Sequence, residues 1–284
     1  MVEDLSLLNR SEAPLSEEEW NLLEKTVVQV ARGQLVGRKV LDLFGPLGIG
    51  IQNVDYDVFT DRSPAVVDFF GEPEARDRLV SKRRIHSAIP LLYKDFVLFL
   101  RDLESSRRTT VPLDFTAAAA SASEVAFQED ELIFKGKPEL GQVGFLQADG
   151  RQVLSARNWQ EVSNGFLDLV EARAKLLAAG FYGPYALVLN PLWYAALHRI
   201  FDGTGRLEIE QVRGLAEAGV FQTSVIPPDR GIVLSVGIQN FDLAVAQDLT
   251  VGYLGPENLN FPFRVFEALA LRIKRPGAIC VLEG

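Results

Sequence analysis

The sequence contains little of the chemistry on which enzymes depend. Its 284 residues include one cysteine, one methionine and two histidines. The single cysteine, Cys280, cannot build an intrachain disulfide framework, which fits a reducing cytosol, and its apolar surroundings predict a small buried hydrophobe. His86 and His198 belong to no His-x-x-x-His or Glu-x-x-His pattern. We therefore expect no metal site, no histidine-based triad and no enzymatic activity.

Long apolar runs and an excess of basic residues are also missing. No uninterrupted apolar stretch reaches the length that spans a membrane, and the acidic start of the chain lacks the regions of a signal peptide. We therefore expect a cytoplasmic protein without a membrane partner. The net charge of −9 argues against a surface that coats nucleic acid.

The chain does contain enough apolar residues for a large core, and it has a clear first helix. Apolar residues make up 48% of the sequence and charged residues 24%, as in an ordinary globular protein. The capping box Ser16-Glu-Glu-Glu19 is flanked by Leu15 and Trp20, which are placed to form a hydrophobic staple. Apolar residues then recur at helical spacing, which predicts a helix that ends near Gly37.

Four further segments follow this helix. From Gly45 to about residue 88, an alternating and charge-rich stretch could not build its own core, which predicts a two-stranded arm lying on a neighbour. Asp114 is placed to cap an Ala-rich helix through Lys135, with Gly136 after its end. An α/β region comes next, and two apolar strands at 264–274 and 277–282 close the chain. The α/β region has predicted helices at 165–179, 191–201 and 208–218, and predicted strands at 184–190, 231–236, 242–245 and 249–254.

Two local patterns invite a chemical interpretation that the residues do not support. Gly45-Pro-Leu-Gly-Ile-Gly50 lacks the Lys-Ser/Thr of a P-loop and the spacing of a dinucleotide fingerprint, so we interpret it as a hinge at the root of the arm. Glu129, Asp130 and Glu131 occupy consecutive helix positions, point in different directions and cannot converge on one ion. We expect them on a solvated helix face with one ion pair at a subunit interface.

Six short motifs occur in order over essentially the whole chain. They are Arg10-Ser-Glu-Ala-Pro-Leu-Ser16, Gly37-Arg-Lys-Val-Leu-Asp42, Gly45-Pro-Leu-Gly48, Glu129-Asp-Glu-Leu-Ile-Phe134, Gly183-Pro-Tyr-Ala-Leu-Val-Leu189 and Asp248-Leu-Thr-Val-Gly-Tyr253. Each is weak alone, but together they resemble the shell protein of encapsulins, nanocompartments built on the fold of tailed-phage capsids. Three more runs are closest to the subgroup that forms larger shells and stores iron with ferritin-like cargo: Tyr93-Lys-Asp-Phe96, Arg101-Asp-Leu-Glu104 and Leu207-Glu-Ile-Glu210.

The resemblance implies an α+β architecture, the HK97-like capsid fold with a peripheral domain, an extended loop and an axial domain. Residues 1–44 would form the amino-terminal helix and the start of the peripheral domain, and 45–88 the extended loop. The peripheral domain with its spine helix would continue through 89–137. The axial domain would take 138–243, and the return strands of the peripheral domain would take 244–284.

The implied function is that of a self-assembling shell protomer. The chain would form a large icosahedral homo-oligomer, with T=3 favoured over T=1 or T=4. It would hold a cargo enzyme through a short carboxy-terminal targeting peptide, and the subgroup implies ferritin-like cargo that handles the iron. By position in the family, the peptide-binding residues would be Val27, Val30, Ala31, Leu35, Arg38, Asp42, Val251 and Tyr253.

The resemblance also bears on pores and on cofactors. The turn Asp202, Gly203, Thr204, Gly205 and Arg206 falls where the family places the axial loop that rings the symmetry-axis pores. The alternative is an ordinary glycine turn between two helices. Some smaller encapsulins stack a flavin on a tryptophan that follows a Phe-x-Leu run. Here the run is Phe96-Val-Leu-Phe-Leu-Arg-Asp102, with Leu100 and Arg101 where the tryptophan would stand, so no cofactor is expected.

Two other functions are weighed against the sequence. A phage or prophage major capsid protein that packages DNA would have a basic interior and a scaffold or delta domain, and the sequence shows neither. The short basic clusters at 82–84 and 107–108 are instead expected to pair with acidic residues of neighbouring subunits. A free α/β enzyme would need a cluster of titratable groups in a cleft, which the scarcity of histidine and cysteine does not favour.

Overall fold

The fold is built around two sheets and six helices in the residues that a computed structural model describes, namely 8–60, 65–70, 78–81, 83–109, 111–201 and 203–284. The helices are α1 (Glu17–Gln34), α2 (Leu100–Arg108), α3 (Thr116–Phe134), α4 (Asn164–Ala178), α5 (Pro191–Ala196) and α6 (Glu208–Leu215). The strands are β1 (Asp42–Phe44), β2 (Asn53–Val58), β3 (Arg83–Ala88), β4 (Leu91–Leu98), β5 (Gly136–Lys137), β6 (Gln142–Val143), β7 (Gln152–Ser155), β8 (Tyr185–Leu189), β9 (Gly219–Gln222), β10 (Arg230–Ser235), β11 (Phe241–Tyr253), β12 (Phe261–Ile273) and β13 (Ile279–Glu283).

The first sheet has four strands in the order β1-β11-β12-β4. Its centre is the antiparallel pair of β11 and β12, whose register shifts on both sides of Gln247. Helices α1 and α3 contribute to one core with this sheet. The ring of Trp20 on α1 meets Phe263 edge-on at 5.7 Å, and Phe263 stacks on Phe96 of β4 at 5.4 Å. Contacts of this kind fix α1 to the sheet.

The second sheet has five strands in the order β7-β13-β10-β8-β9. Every residue of β8 is buried, as are the first four of β13, because both strands lie inside the sheet and helices cover it. The prediction that 244–284 returns entirely to the peripheral domain is therefore wrong for its last strand. β13 pairs with β10 and β7, so the chain crosses from the first sheet to the second after β12.

The two-stranded arm is held by polar contacts across its strands. Arg84 donates to both carboxylate oxygens of Asp57 at 3.0 Å, and the ring of His86 lies 2.8 Å from Asp55. Arg84 thus has an acidic partner in its own chain, as Arg108 does in Glu104. The expected pairing of the basic clusters with neighbouring subunits stays a prediction. Position 82 lies outside the described residues.

Several helix boundaries follow the sequence signals closely. Ser16 accepts a hydrogen bond from the amide of Glu19, and Glu19 accepts one from the amide of Ser16, so the capping box is present. Asp114 accepts from the amide of Thr116 rather than serving as the N-cap, and α3 begins at Thr116. Gly136, with φ of +76°, follows the end of α3 as predicted. Helices α5 and α6 are shorter than predicted, and β11 is one strand where two were expected.

In the part of the chain that the structure describes, no helix has both the length and the apolar character that crossing a membrane requires.

Candidate functional site

A groove of about 360 Å³ lies between α1, the segment after it and the irregular part of β11. This groove has an apolar half and a charged half. The apolar lining comes from Val28, Ala31, Leu35, Leu43 and Leu249, and the charged lining from Arg32, Arg38, Lys39 and Asp248. Such a mixture suits an extended segment whose apolar side chains enter the groove while its backbone stays near polar groups.

The groove exists because α1 carries two adjacent apolar stripes. One stripe, which includes Leu23 and Val27, faces the sheet and is almost completely buried. The second stripe starts at Val28, one residue further round the helix, and continues through Ala31 to Leu35 at helical spacing. Within this stripe Val28 is half-buried, whereas Ala31 and Leu35 are 1 and 5% exposed and only border the groove.

The structure brings three of the predicted peptide-binding residues into the groove, namely Ala31, Leu35 and Arg38. Two others lie outside its lining: Val30 is half-buried against the core below α1, and Asp42 is exposed on β1.

Three others of the predicted residues have side chains that are buried in the core of the protomer. Val27 and Val251 are each 1% exposed and Tyr253 is 4% exposed. The side chains of Val251 and Tyr253 on β11 belong to the core that this sheet shares with α1 and α3. In that core the ring of Tyr253 packs against the ring of Phe263 at 5.1 Å. They support the groove from below and do not line it.

Six lining residues were not found from the sequence. The residue Val28 could have been found, because it begins a stripe at i, i+3 and i+7 beside the core stripe. The remaining five depend on how β1 and the bulged β11 approach α1, which no local pattern reveals. They are Arg32, Lys39, Leu43, Asp248 and Leu249.

A buried ionic cluster forms the floor of the groove around Arg38. Its Nε donates to both oxygens of Glu129 at 2.8 and 3.0 Å, one terminal nitrogen donates to Asp248 at 2.6 Å, and the other donates to Glu267 at 2.8 Å. These carboxylates come from α3, β11 and β12, so one guanidinium ties three elements to the end of α1. Glu129 and Glu267 have side-chain exposures of 0 and 1%.

The cluster perturbs the acidity of its members. Burial alone would lower the pKa of Arg38, but its bonds to Glu129 and the negative charges around it outweigh burial and raise that pKa. Burial, followed by the charge of Glu129, raises the pKa of Glu267 well above its ordinary value. For Asp248, burial acts to raise the pKa, yet the bond and charge of Arg38 lower it overall.

The expectation of a solvated acidic face on α3 is wrong for two of its three residues. Glu129 and Asp130 are buried, whereas Glu131 is half-buried and pairs with Lys135 at 3.2 Å. Asp130 accepts hydrogen bonds from the amides of Val36 and Gly37 at 3.1 and 2.8 Å. Burial raises the pKa of Asp130 to about 6 in spite of these bonds. Sequence reasoning missed this because neighbouring positions on a helix can both be buried when different elements cover them.

The predicted pore residues form a tight turn between α5 and α6. Gly203 and Gly205 adopt φ of +72° and +66°, which side chains rarely tolerate. The amide of Phe201 donates to the carbonyl of Arg206 at 2.7 Å, and the Thr204 hydroxyl donates to the carbonyl of Phe201. Residues 203–206 are exposed. Asp202 lies outside the described residues.

A second, larger cavity of about 510 Å³ lies along α3. It is bounded by β4 and β5, and its lining includes the exposed residues Leu91, Tyr93 and Leu140. None of the residues predicted to bind a peptide lines this cavity, whereas three of them line the α1 groove. The α1 groove is therefore the candidate site.

The chain matches the family model described as encapsulating protein for peroxidase over residues 5–270. It is 50% identical to the type 1 encapsulin shell protein EncA of Myxococcus xanthus, over 98% of this chain and 96% of that protein. It is 42% identical to a diheme-cytochrome-encapsulin shell fusion protein of Kuenenia stuttgartiensis, over 96% of this chain and 75% of that protein. A ferritin-like-encapsulin shell fusion protein of Pyrococcus furiosus is 29% identical, over 70% of this chain and 53% of that protein.

Solved structures agree on the fold. The virus-like particle of Pyrococcus furiosus superposes with a TM-score of 0.76 at 23% identity, covering 94% of this chain and 99% of that chain. The capsid of the myovirus XM1 superposes with a TM-score of 0.64 at 13% identity, covering 88% and 91% of the two chains. The fold is thus the HK97-like capsid fold that the sequence predicted. With a family model matched over nearly its whole length and a relative of 50% identity, the chain belongs to the encapsulin shell proteins.

Proposed function

We propose that this shell protein assembles into a closed icosahedral compartment and holds cargo by binding its carboxy-terminal targeting peptide in the α1 groove. The observation that carries the proposal is the groove beside α1, where the partly exposed side chains of Val28, Leu43 and Leu249 lie next to charged residues. Exposed apolar side chains gathered in one place are typical of a binding site.

Assembly is supported by apolar side chains that the protomer cannot cover itself. In the arm, Val67, Phe69 and Phe70 are 90–100% exposed, which is costly unless another subunit packs on them. Closed symmetry repeats each such contact many times, so modest interfaces can sum to a stable shell. We expect a homo-oligomer with T=3 symmetry, with T=1 and T=4 as the alternatives that particle diameter would distinguish.

A single targeting peptide should bind weakly. Each Leu, Ile or Val side chain that enters the groove contributes at most about 1.5–3 kcal/mol. Ordering a disordered tail costs about 2–5 kcal/mol or more, which offsets much of this gain. An oligomeric cargo with several tails would still be retained, because each further tail binds at a high effective concentration.

A cargo partner is supported by relatives that are themselves described as fusions of the shell with a ferritin-like protein or a diheme cytochrome. We propose a ferritin-like cargo that stores iron and limits oxidative stress, inside a cytoplasmic compartment. The iron chemistry would belong to the cargo, and the shell itself would need neither a flavin nor a catalytic residue.

The test begins with shells purified from the source organism, whose internal protein is identified by mass spectrometry. Its carboxy-terminal segment is then fused to a monomeric fluorescent protein and expressed together with the shell. We expect the fusion to co-elute with the particles and the fluorescent protein without the tail to be excluded. Equal loading of both would contradict binding through the tail. Particles that contain extractable genomic DNA would support the rival function of a DNA-packaging capsid.

A further inference from the structure

The floor of the groove holds more carboxyl groups than its one guanidinium can balance. Arg38 contacts Glu129, Glu267 and Asp248 at once. If all four groups were ionised, the cluster would carry a net charge of −2. Asp248 can be hydrated because its side chain is 57% exposed, but Glu129 and Glu267 have almost no contact with solvent.

One oxygen of this cluster lacks a hydrogen-bond donor. Glu267 Oε2 accepts from Arg38, whereas Glu267 Oε1 is buried without any partner. The carboxylates of Glu129 and Glu267 both accept from the guanidinium of Arg38, one from Nε and the other from a terminal nitrogen, so two buried carboxyl groups converge on one cation. A proton shared by these two groups would remove one of their two buried negative charges and would neutralise the carboxylate whose oxygen is unpaired. Since an unpaired buried polar atom and a like-charged buried pair are both costly, the protonated pair is the arrangement that fits the geometry.

We propose that Glu129 and Glu267 share one proton at neutral pH, and that this proton keeps the floor of the groove in the shape that binds a targeting peptide. The consequence for the peptide rests on the function proposed above, whereas the shared proton does not. The burial of Glu267 and the charge of Glu129, which both raise the pKa of Glu267, support the same assignment.

The elements packed on the pair differ in the charged groups that they bring near it. The positive charge of Arg32 on α1 acts to lower the pKa of Asp248. The charge of Lys39, in the segment after α1, acts to lower the pKa of Asp130. On α3, Asp130 lies next to Glu129 but bonds to the amides of Val36 and Gly37. On β4, the residue opposite Glu267 is the apolar Leu92. Arg38 is thus the one cation in contact with the pair among the described residues.

Loss of the shared proton would change the groove through Asp248 and its neighbour Leu249. When a solvent base takes the proton, both carboxylates are negative and draw Arg38 toward the core, while Asp248 is repelled toward solvent. Asp248 also accepts a hydrogen bond from the amide of Leu249 at 2.8 Å, and Leu249 lines the groove. A displaced Asp248 would therefore move an apolar wall residue of the peptide site.

The first experiment needs no cargo. Infrared spectra of empty shells with ¹³C-labelled glutamate side chains are compared at neutral and alkaline pH. We expect a carboxylic acid C=O band at neutral pH that disappears on alkalinisation and is absent in Glu267→Gln, whose amide imitates the protonated acid. Glu131→Gln, on α3 but outside the groove, should keep the band. If Glu267→Gln does not assemble, Glu129→Gln should also remove it. The same spectrum in wild type and in either variant would overturn the shared proton.

The second experiment links the proton to the groove. Binding of the labelled carboxy-terminal peptide of the identified cargo is measured against pH. Because only the protonated fraction binds, the wild-type affinity should fall about tenfold per pH unit above the pKa of the pair. In Glu267→Gln the affinity should be independent of pH, and in Glu131→Gln it should follow wild type. Equal pH dependence in wild type and Glu267→Gln would overturn the coupling. Absence of peptide binding at every pH would overturn the proposed function, while the infrared result would still stand.

Discussion

Leu43 offers the cleanest test of the groove, because its side chain lines the site without belonging to the core. It is 49% exposed, so a bound peptide could cover about half of a leucine side chain. That contact would contribute about 1 kcal/mol, which corresponds to about fivefold in affinity. Leu43→Asp would also force a carboxylate out of water on binding, at a cost of a few kcal/mol. We therefore expect the affinity to fall by about a hundredfold or more.

The control for this change is Leu22→Asp. Leu22 is 46% exposed and lies on the same helix as Val28 and Ala31, but outside the groove. Both substitutions are at the surface and should alter folding stability by about 0.5 kcal/mol, or up to about 1 kcal/mol for an aspartate in a strand. The assay is co-elution of a monomeric fluorescent protein with a targeting tail, where avidity cannot hide the loss. Equal loading of the two variants would refute binding at Leu43.

Three further predictions concern the core and the ionic cluster. Val251→Asp should prevent shell formation, since it places a carboxylate in a core position that is 1% exposed; intact shells in electron micrographs would contradict the assigned burial. Asp130→Asn should lower stability by about 1–3 kcal/mol, seen as an earlier denaturation midpoint, because the amides of Val36 and Gly37 lose a charged acceptor. The raised pKa of Glu267 means that folding binds a proton, so its contribution to stability is greatest at acidic pH and falls as pH rises from the unfolded value through the folded one. Glu267→Gln should flatten this part of the pH profile of guanidinium denaturation, and an unchanged slope would count against the assignment.

The elements with strong local signals could be predicted from the sequence. The capping box at Ser16, the glycine after α3 and the apolar closing strands each depend on residues adjacent in the chain. Pairing between distant strands has no such signal. β13 is as apolar as β12, and nothing in its sequence shows that it joins β10 and β7 rather than the first sheet.

Of the eight residues predicted to bind the peptide, three line the groove and five lie beside or beneath it. Residues of α1 were identifiable because helical periodicity locates a face to within one residue, and Ala31 and Leu35 lie on the edge shared by the core and the groove. On β11, the predicted residues Val251 and Tyr253 have side chains on the face that packs in the core. Adjacent strand residues point to opposite faces, and the register shifts near Gln247 change which of them reach the surface.

The ionic cluster could not be predicted because its members lie far apart in sequence. Arg38 is 91 residues from Glu129 and 229 from Glu267. Acidic residues on a helix are usually solvated, and only the approach of β12 and the segment after α1 buries these two carboxyl groups together. Their joint burial is the observation on which the proposed shared proton rests.

The measurement that tests the central claim most directly is electron microscopy of the purified chain, expressed without any cargo gene. We predict uniform, closed, hollow particles whose diameter gives the triangulation number. Small oligomers without closed particles, at protein concentrations where the chain is folded by circular dichroism, would contradict self-assembly into a shell.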